Sequence, residues 1–419
     1  MQTPVENHTR FQLGDSRGDF ELPTTPHGAP LSYLCGHSLG AMPRAARRWL
    51  EQGMNDWSKL AVDGHFDGDT PWFHLGEALQ APMGAIVGAA AENVALANSL
   101  TTNLHLLLVS FYRPVGKRSK ILMEYGAFPS DRFLIRSHVA SRGLDPDHHV
   151  LEVKGAGALG VPTSEELLAA IHMHGDELAT ILLPGVSYST GTVYDIAGIS
   201  QAGREAGAYV GWDLAHAVGN IELQLEADGA DFAAWCTYKY LNGGPGAVGG
   251  YFVHPRHTER VQQEMPRYEG WWGNHASSRF EPNAPFKPAM GAAAWQLSNV
   301  PVFSMLPLYA SLPMFADIGM KRLAALGREG HQRARQAIFA ARPKLQVITP
   351  EDAHGAQLSL SISGRAAAVQ TALQHEGILC DTRGDDILRF AAAPLYNHKE
   401  DIDRFVTVLD QILDRTEGP

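Results

Sequence analysis

An acid and a lysine each follow an apolar run in the middle of this sequence. Asp213 closes the run AYVGWD, and Lys239 comes shortly after the run DFAAWC. A buried lysine is costly unless it is neutralised or used covalently, and an imine with an aldehyde cofactor satisfies both conditions. A carboxylate beside it would pair with a protonated pyridine nitrogen and make that ring a better electron sink. The two residues therefore predict an aldehyde cofactor built on a pyridine ring.

The turn after Lys239 supports this interpretation. It reads LNGGPGAVGG, and its small residues let backbone approach a ligand closely. Taken singly, Lys239 would be a surface lysine and Asp213 a helix N-cap. Their positions at consecutive strand ends favour the cofactor site, because ligands of open α/β sheets bind beyond the carboxyl ends of the strands.

Two further motifs fit the same cofactor. In ANSLTTNLHLLLVSF, Leu100 and Thr101 begin an apolar helix after a short strand, where backbone N–H groups and hydroxyls would hold a phosphate. In GAFPSD, Phe128 would lie flat on a planar ring. Read alone, each motif also allows a plainer interpretation: hydroxyls that cap the helix, and a core Phe128 followed by Ser130 and Asp131 as caps.

The elements that would position these residues are short apolar runs, which alternate with helical patterns along the chain. The strand-like runs cover 94–97, 120–124, 149–153, 179–185, 208–213, 231–236 and 249–254. Such alternation predicts an α/β fold, with a mostly parallel sheet covered by helices on both faces.

The C-terminal part has a different pattern. A long helical stretch from about 302 to 341 precedes the short strands LQVIT, QLSLSI and ILRFAA, which are mixed with two helices. This order predicts a smaller α+β unit. We therefore expect an N-terminal segment and helix over 1–60, a large cofactor-binding domain over 61–301 and a small domain over 302–419.

Composition excludes several classes of function. The net charge is −11 and no Lys/Arg-rich run exists, so neither nucleic acid nor an anionic membrane surface is expected as a partner. The N-terminus has no apolar core like that of a signal peptide, and three cysteines suit a reducing compartment, which predicts a cytoplasmic protein. The 19 histidines lack metal-ligand spacing, so no metal is expected.

Longer runs make the sequence similar to a known family. The chain resembles the kynureninases, which are fold-type-I pyridoxal-phosphate enzymes, in runs that keep the family's order. They include YLCGHSLG, GHFDGDTPW, AFPSDRF, YVGWDLAHAVGN, DFAAWCTYKYLNGGPG, GWWGNHASSRF, WQLSNVP and LRFAAAPLYN. The resemblance implies the fold-type-I architecture, a large domain with a mostly parallel sheet and a smaller C-terminal α+β domain.

The resemblance also implies roles around pyridoxal 5'-phosphate. Lys239 would hold the cofactor as a Schiff base, Asp213 would pair with the pyridine nitrogen and Phe128 would stack on the ring. Tyr238 is in addition the candidate proton donor of the reaction. The other residues that would line the cofactor pocket are Leu100, Thr101, Ser130, Asp131, His216, Tyr238, Trp271 and Asn299.

Four residues would contact the substrate. Arg389 would clamp the α-carboxylate bidentately, which suits its planar guanidinium. Ser38 and His65 would face the aromatic amine end, and Asn299 would come from the partner subunit of a homodimer. Plainer interpretations stay open here: an ion pair at a strand edge for Arg389, a helix cap for Ser38, a structural histidine for His65 and a turn residue for Asn299.

The implied reaction is hydrolysis of the Cβ–Cγ bond of L-kynurenine and/or L-3-hydroxykynurenine. Its products are anthranilate or 3-hydroxyanthranilate and L-alanine, in tryptophan degradation or the synthesis of an NAD precursor. The polar groups of His65 and Asn299 would offer a hydrogen-bond partner to a 3-hydroxyl, which favours 3-hydroxykynurenine. The chain departs from the family at His37, where the family has Asn, and over 281–294.

Other functions remain to be weighed against this one. A cysteine desulfurase-like lyase of the same fold needs an accessible nucleophilic cysteine, whereas Cys35, Cys236 and Cys380 lie in or beside apolar runs. An aminotransferase would release a keto acid instead of alanine. A catalytically silent binding module is disfavoured because Lys239 and Asp213 are both present.

Overall fold

A seven-stranded sheet forms the centre of the computed structural model, which describes residues 11–417 apart from 26, 158 and 259–264. Its strands are β4 (Val94–Leu96), β5 (Lys120–Glu124), β6 (Val150–Val153), β7 (Leu178–Pro184), β8 (Tyr209–Asp213), β9 (Phe232–Trp235) and β10 (Gly250–Val253). Their order across the sheet is β4-β10-β9-β8-β7-β5-β6. Each coincides with one of the predicted runs.

The sheet is mostly parallel, as predicted. β6, β5, β7, β8 and β9 run in one direction, and β10 pairs antiparallel with both of its neighbours. The strands carry nearly continuous apolar residues because helices cover both faces of the sheet. The apolar side chains form one core on each face of the sheet. Trp212 is a fully buried member of one core, and Phe232 is a fully buried member of the other.

Helices connect the strands and build the outer layers. In chain order they are α1 (Arg44–Leu60), α2 (Leu75–Ala78), α3 (Gln80–Val87), α4 (Leu100–Phe111), α5 (Pro129–Ser141), α6 (Pro146–His149), α7 (Ser164–His174), α8 (Ile196–Glu205), α9 (Pro255–Thr258), α10 (Val302–Met305), α11 (Leu308–Ile318), α12 (Met320–Ala341), α13 (Ala366–His375) and α14 (Lys399–Glu417). Short 3-10 turns span Arg17–Asp19, Ala61–His65, Trp72–His74, Ala91–Asn93, Gly175–Glu177, Ala276–Ser278 and Gly291–Trp295.

The predicted helical stretch over 302–341 is three helices instead of one. Pro307 precedes α11, and Gly319 takes a positive φ of 85° between α11 and α12, which a residue with a side chain would resist. The segments Val302–Ile318 and Met320–Ala341 meet at a bend of 88°. Only the two segments together reach the length and apolarity of a membrane span. No single helix of the described part of the chain does so.

The C-terminal unit is a small antiparallel sheet with its own core. β11 (Gln357–Ser361), β14 (Ile387–Ala391) and β13 (Asp381–Arg383) pair in that order, and α12, α13 and α14 supply further core residues. The α+β prediction is confirmed in outline. The expected strand LQVIT was wrong, because only a single bridge joins Val347 to Leu360.

The N-terminal segment ties the two units together. β1 (Phe20–Glu21) pairs with β3 (Met42–Pro43), while β2 (Ser32–Tyr33) pairs with β12 (Ile378–Leu379). Side chains of this segment enter both the large and the small core. The part of the predicted polar segment before residue 11 lies outside the described residues. The domain boundaries at 60 and 301 stay a prediction.

Candidate active site

A cavity of about 360 Å³ opens at the carboxyl edge of the large sheet. Its lining includes ten of the residues expected from the sequence, namely Ser38, Leu100, Thr101, Phe128, Ser130, Asp131, Asp213, His216, Tyr238 and Lys239. Further lining residues are Ser99, Glu124, Pro184, Val186, Tyr188, Ala215 and Arg383. Segments that are far apart in the sequence therefore meet where the strands end.

The turn that follows β9 fixes the position of Lys239. Asn242 takes a positive φ of 57°, and its N–H donates to the Lys239 carbonyl at 2.9 Å. The N–H of Gly40 donates to the Tyr238 carbonyl at 2.8 Å. A Cβ on Gly40 would collide with the Lys239 carbonyl, so only glycine lets these two segments approach so closely.

Lys239 lies against a neutral histidine. Its Nζ is 3.0 Å from Nε2 of His216, which is buried. Burial and the positive charge of Lys239 lower the pKa of His216 well below its usual range, so the imidazole accepts a hydrogen bond from the amine at neutral pH. The other ring nitrogen of His216, Nδ1, has no partner among the described residues.

Asp213 occupies the same edge of the sheet because β8 and β9 are parallel neighbours. Asp213 is paired in register with Ala234 of β9, and its Oδ1 accepts the N–H of Ala215 at 2.7 Å. The expectation that the acid and the lysine lie at neighbouring strand ends is thus confirmed.

Three acidic residues are buried together beside the cavity. Asp131 is hydrogen-bonded to Asp213, and its pKa is raised well above the usual range by burial and by the charge of Asp213. Glu124, at the end of β5, accepts a hydrogen bond from the Tyr194 hydroxyl at 2.7 Å. Burial, with a smaller effect of Asp213, raises the pKa of Glu124 to about 8. Asp131 and Glu124 therefore tend to keep their protons, which lowers the negative charge of the cluster.

The start of α4 is open to an anion. Ser99 stands at the N-cap, but its side chain makes no capping bond to the backbone and instead lies 3.0 Å from the Thr102 hydroxyl. Hydroxyl capping, the plainer interpretation of this motif, is therefore not what Ser99 does. The N–H groups of the first helical turn, which includes Leu100 and Thr101, are available to a phosphate.

Phe128 forms an aromatic wall of the cavity. Its side chain is 45% exposed, so it is not a core anchor. Tyr188 meets its ring edge-on at a centroid distance of 5.1 Å. Beside it, the Ser130 hydroxyl donates to Asp131 at 3.3 Å.

Arg389 lies behind the cavity wall. It is fully buried in β14, opposite Asp381 of β13, and donates from Nε and Nη2 to the two carboxylate oxygens at 2.9 and 2.6 Å. The Asp381 carboxylate also contacts Nε2 of His37 at 3.0 Å and the hydroxyl of Ser38. Burial raises the pKa of Asp381, but His37 and Arg389 outweigh burial and hold that pKa well below its usual range.

Like Arg389, three further residues with implied roles are absent from the lining of the cavity within this one chain. Trp271 donates from its indole N–H to the Arg279 carbonyl at 2.7 Å and is 49% exposed. His65 packs edge-on against Trp72 at 5.3 Å, and Asn299 is exposed. Their roles stay predictions, and Asn299 was expected to act from the partner subunit.

Sequence reasoning missed three polar residues of the lining: Glu124, Tyr188 and Arg383. Glu124 carries the signal that identified Asp213, because it is an acid that ends an apolar strand. Tyr188 and Arg383 lie in a loop and at the end of an edge strand, where no periodic pattern marks them.

The cysteines show no sign of activation. Cys236 and Cys380 are buried, and Cys35 is partly buried. Burial raises the pKa of all three thiols, that of Cys35 to about 12. Nucleophilic cysteines have depressed pKa values, so these thiols do not suit that role. In the part of the chain that the structure describes, no group of three or more His, Cys, Asp or Glu side chains could hold a metal ion.

The arrangement fits pyridoxal phosphate. The Lys239 amine suits an aldehyde, and Asp213 suits a pyridine nitrogen. The uncapped start of α4 suits a phosphate, and the exposed ring of Phe128 suits a planar heterocycle. The unpartnered Nδ1 of the buried His216 is a further polar atom that a bound group would satisfy. Fold and site together define a fold-type-I pyridoxal-phosphate enzyme.

Comparison with solved structures supports the fold. A cysteine desulfurase from Escherichia coli aligns with a TM-score of 0.76 and 18% identity, covering 99% of each chain. A variant of C-DES with glycine covalently linked to its PLP cofactor aligns with a TM-score of 0.75 and 16% identity, covering 94% of this chain and 98% of that one.

Sequence comparison identifies the family. Residues 329–409 match the kynureninase C-terminal domain. A kynureninase from Myxococcus xanthus is 43% identical over 398 residues, which cover 94% of this chain and 93% of the relative. The chain therefore belongs to the kynureninase family.

The raised pKa of Glu124 predicts a pH-dependent stability. Between about pH 4.5 and 8 the folded state keeps a proton on Glu124 that the unfolded chain releases, so stability falls as pH rises, by at most about 1.4 kcal/mol per pH unit. Glu124→Gln keeps an oxygen for Tyr194 but does not titrate. Its free energy of unfolding should therefore rise relative to that of the natural protein between pH 5 and 8, as measured by urea unfolding.

A matched control separates this effect from general changes in charge. Glu124 is buried, whereas Glu92 is exposed. The variant Glu92→Gln should differ from the natural protein by a constant amount across the same pH range. If the Glu124→Gln difference were equally flat, Glu124 would not hold the extra proton.

Proposed function

We propose that this chain hydrolyses the Cβ–Cγ bond of L-kynurenine and/or L-3-hydroxykynurenine, releasing anthranilate or 3-hydroxyanthranilate and L-alanine. The observation that carries the proposal is the meeting of Lys239 and Asp213 at one cavity in a chain 43% identical to a kynureninase over nearly its whole length. We further propose a place in tryptophan degradation or in the synthesis of an NAD precursor.

The cofactor is pyridoxal 5'-phosphate. Lys239 would hold its aldehyde carbon, Asp213 its pyridine nitrogen and the first turn of α4 its phosphate, with Phe128 against the ring. When bound, the cofactor supplies a conjugated ring that accepts electrons from a bond broken at the substrate. Asp213 is buried at the cavity, and its neighbour Asp131 has a raised pKa and keeps its proton. Asp213 is therefore the carboxylate that would pair with a protonated pyridine nitrogen.

Lys239 would move the Cα proton. A lysine amine acts as a base only when it is unprotonated, and His216 accepts a hydrogen bond from it at 3.0 Å without carrying a charge of its own. His216 therefore orients the amine towards the cavity. Its low pKa means that it does not compete for the transferred proton.

Tyr238 is the candidate donor of a proton to Cβ. It lines the cavity next to Lys239, and burial raises the pKa of its phenol, so the hydroxyl holds its proton at neutral pH. The overall reaction consumes one water, whose oxygen ends in the carboxylate of the anthranilate, while Cβ receives a hydrogen and becomes the methyl of alanine.

Arg389 and Ser38 are proposed to recognise the substrate. Ser38 lines the cavity, and its hydroxyl accepts an N–H of Arg389 at 3.3 Å. Arg389 would then hold the α-carboxylate with what remains of its hydrogen-bonding capacity. Because Asp381 already takes two of its donors, this contact would not be the simple bidentate clamp expected from the resemblance.

A cysteine desulfurase-like activity has less support. The fold is shared with cysteine desulfurases, but fold likeness at 18% identity does not carry function. That chemistry needs an activated thiol, and all three cysteines here have raised pKa values.

A homodimer with shared active sites would account for the residues outside the cavity. Large aromatic side chains are exposed around Trp271, with Phe280 5.5 Å from its ring and Phe66 6.4 Å from Phe280. Contiguous exposed apolar surface is typical of a protein–protein interface. We propose that a second copy of this chain covers this aromatic surface and that Trp271, His65 and Asn299 reach the cavity of that copy.

We also propose that the enzyme works in the cytoplasm on a small amino acid. Cys35, Cys236 and Cys380 are all free, which suits a reducing compartment. Neither nucleic acid nor membrane is part of the proposed function.

The catalytic role of Lys239 is tested by Lys239→Ala. The amine supplies both the covalent attachment and the base, so the rate of anthranilate formation should fall at least about 1,000-fold, while some cofactor stays bound without covalent attachment. Anthranilate fluorescence and alanine release measure the rate. Turnover at the natural rate, or a keto acid as product, would contradict the proposal.

The choice of substrate is tested by comparing kcat/KM for L-3-hydroxykynurenine and L-kynurenine. We expect the hydroxylated substrate to be preferred roughly tenfold, because a hydrogen bond from its 3-hydroxyl to His65 or Asn299 is worth about 1–1.5 kcal/mol. The variant Asn299→Ala should reduce the preference. A strong preference for L-kynurenine would reject this expectation.

Sharing of active sites is tested by mixing two inactive variants. Lys239→Ala and Trp271→Ala subunits should each be nearly inactive, but a mixed dimer would contain one site with both natural residues. After exchange of subunits at equal amounts, roughly a quarter of the natural activity should return, since half of the dimers are mixed. If Trp271 acted within its own chain, mixing would restore nothing.

A further inference from the structure

Glu124 is a buried acid in the wall of the cavity that the proposed reaction does not use. It ends β5, lines the cavity together with Asp131 and Asp213, and is only 2% exposed. An ionised carboxylate is expensive to bury without a positive partner. The partner that Glu124 has is neutral, because its Oε2 accepts the hydroxyl of Tyr194 at 2.7 Å.

The sheet places Glu124 and Asp213 on either side of β7. The strands β5, β7 and β8 are parallel neighbours, so Glu124, Pro184 and Asp213 end at the same edge. Strands two places apart are separated by roughly 10 Å. Pro184 is in register with Asp213 and also lines the cavity, but it offers neither an N–H nor a charge that would screen one acid from the other. A change of charge at Asp213 therefore acts on Glu124.

Asp131 and Glu124 hold their protons in different ways. Asp131 is hydrogen-bonded to Asp213, so its proton is part of a contact between two carboxyl groups. Burial disfavours the ionised form of Glu124, the hydrogen bond from Tyr194 favours it, and the charge of Asp213 disfavours it. The balance raises the pKa of Glu124 to about 8, close to neutral pH. Glu124 is therefore the acid of this cluster that can lose its proton while its hydrogen bond stays in place.

The cofactor would bring a positive charge to this wall. A protonated pyridine nitrogen paired with Asp213 offsets the negative charge that acts on Glu124. At the effective dielectric constant of a protein site, one charge roughly 10 Å away lowers the pKa of a carboxyl group by about one unit. Glu124 is already buried, so the cofactor would remove little further water from it.

The other charges of the site lie elsewhere on the cavity. The phosphate would bind at the start of α4, which follows β4 at the far edge of the sheet from β5. Glu166 acts on the hydroxyl of Tyr194. The remaining ionisable groups that line the cavity are Asp131 on α5, Lys239, Tyr238 and His216 after the central strands, and Arg383 of the small unit.

We propose that Glu124 releases its proton to solvent when the pyridinium of the cofactor pairs with Asp213, so that cofactor binding is linked to pH through this residue. The carboxyl O–H bond breaks, and no electron is transferred. Glu124 acts as a positioning residue through Asp213, because its new negative charge stabilises the pyridinium. The cofactor should therefore bind more tightly as pH rises towards 8. The inference needs the cofactor but not the substrate, so it goes beyond the proposed function.

Proton release is measured on the full-length chain, stripped of cofactor and reloaded. Calorimetric titration with pyridoxal 5'-phosphate in two buffers of different ionisation enthalpy counts the protons that leave. At pH 7.5, Glu124→Gln should release about half a proton fewer than the natural protein. The cofactor dissociation constant of Glu124→Gln, divided by that of the natural protein, should rise roughly five- to tenfold between pH 6 and 9, because only the natural protein gains a carboxylate.

Two further variants make the result specific. Tyr194→Phe keeps Glu124 but removes the donor that favours its ionised form, so the proton release should move to higher pH instead of disappearing. A merely structural role of Glu124 would not produce such a displacement. Glu92→Gln is the matched control, since Glu92 is exposed, and it should change neither the proton count nor the ratio of dissociation constants.

Equal proton release by the natural protein and Glu124→Gln would overturn the inference. An unchanged pH dependence in Tyr194→Phe would also overturn it, and that variant decides the matter if Glu124→Gln does not fold. Both measurements are made without substrate. Failure of the natural protein to cleave L-kynurenine would therefore overturn the proposed function alone.

Discussion

The parallel pairing of β8 with β9 is the constraint on which this site depends. Because the two strands run side by side in the same direction, Asp213 at the end of one lies at the same edge as Lys239 just after the other. Helices that cover both faces bury these strands, so the two polar residues emerge only where the strands stop. The other parts of the site, from the start of α4 to Phe128, gather around this edge.

Each charge buried near the edge is matched by a neighbour that reduces its cost. The amine of Lys239 meets a neutral His216, Asp131 shares a hydrogen bond with Asp213, and Asp381 is paired with Arg389. Unpaired, such groups would be expensive to bury. Arg383, which lines the cavity, is paired with the same Asp381 carboxylate at 3.3 Å.

The sequence predicted much of the large unit because its signals are local. Apolar runs located all seven strands, and the ends of two of these runs suggested Asp213, which closes one, and Lys239, which follows shortly after the other. The ion pair of Asp381 with Arg389 joins two neighbouring strands of the small sheet, and the sequence left such an ion pair open as the plainer interpretation of Arg389. Ser38 and Tyr188, which also contact Arg389, come from distant segments, so no spacing in the sequence predicts those contacts. The uncapped helix start and the exposed ring of Phe128 likewise needed coordinates to be separated from capping and core packing.

The central claim is that the amine of Lys239 carries the cofactor. Reduction of the holoenzyme with borohydride makes such a linkage permanent, and proteolysis followed by mass spectrometry locates it. The account predicts a single pyridoxyl group on the peptide that contains Lys239. Finding the group on another lysine, or on no residue, would contradict it.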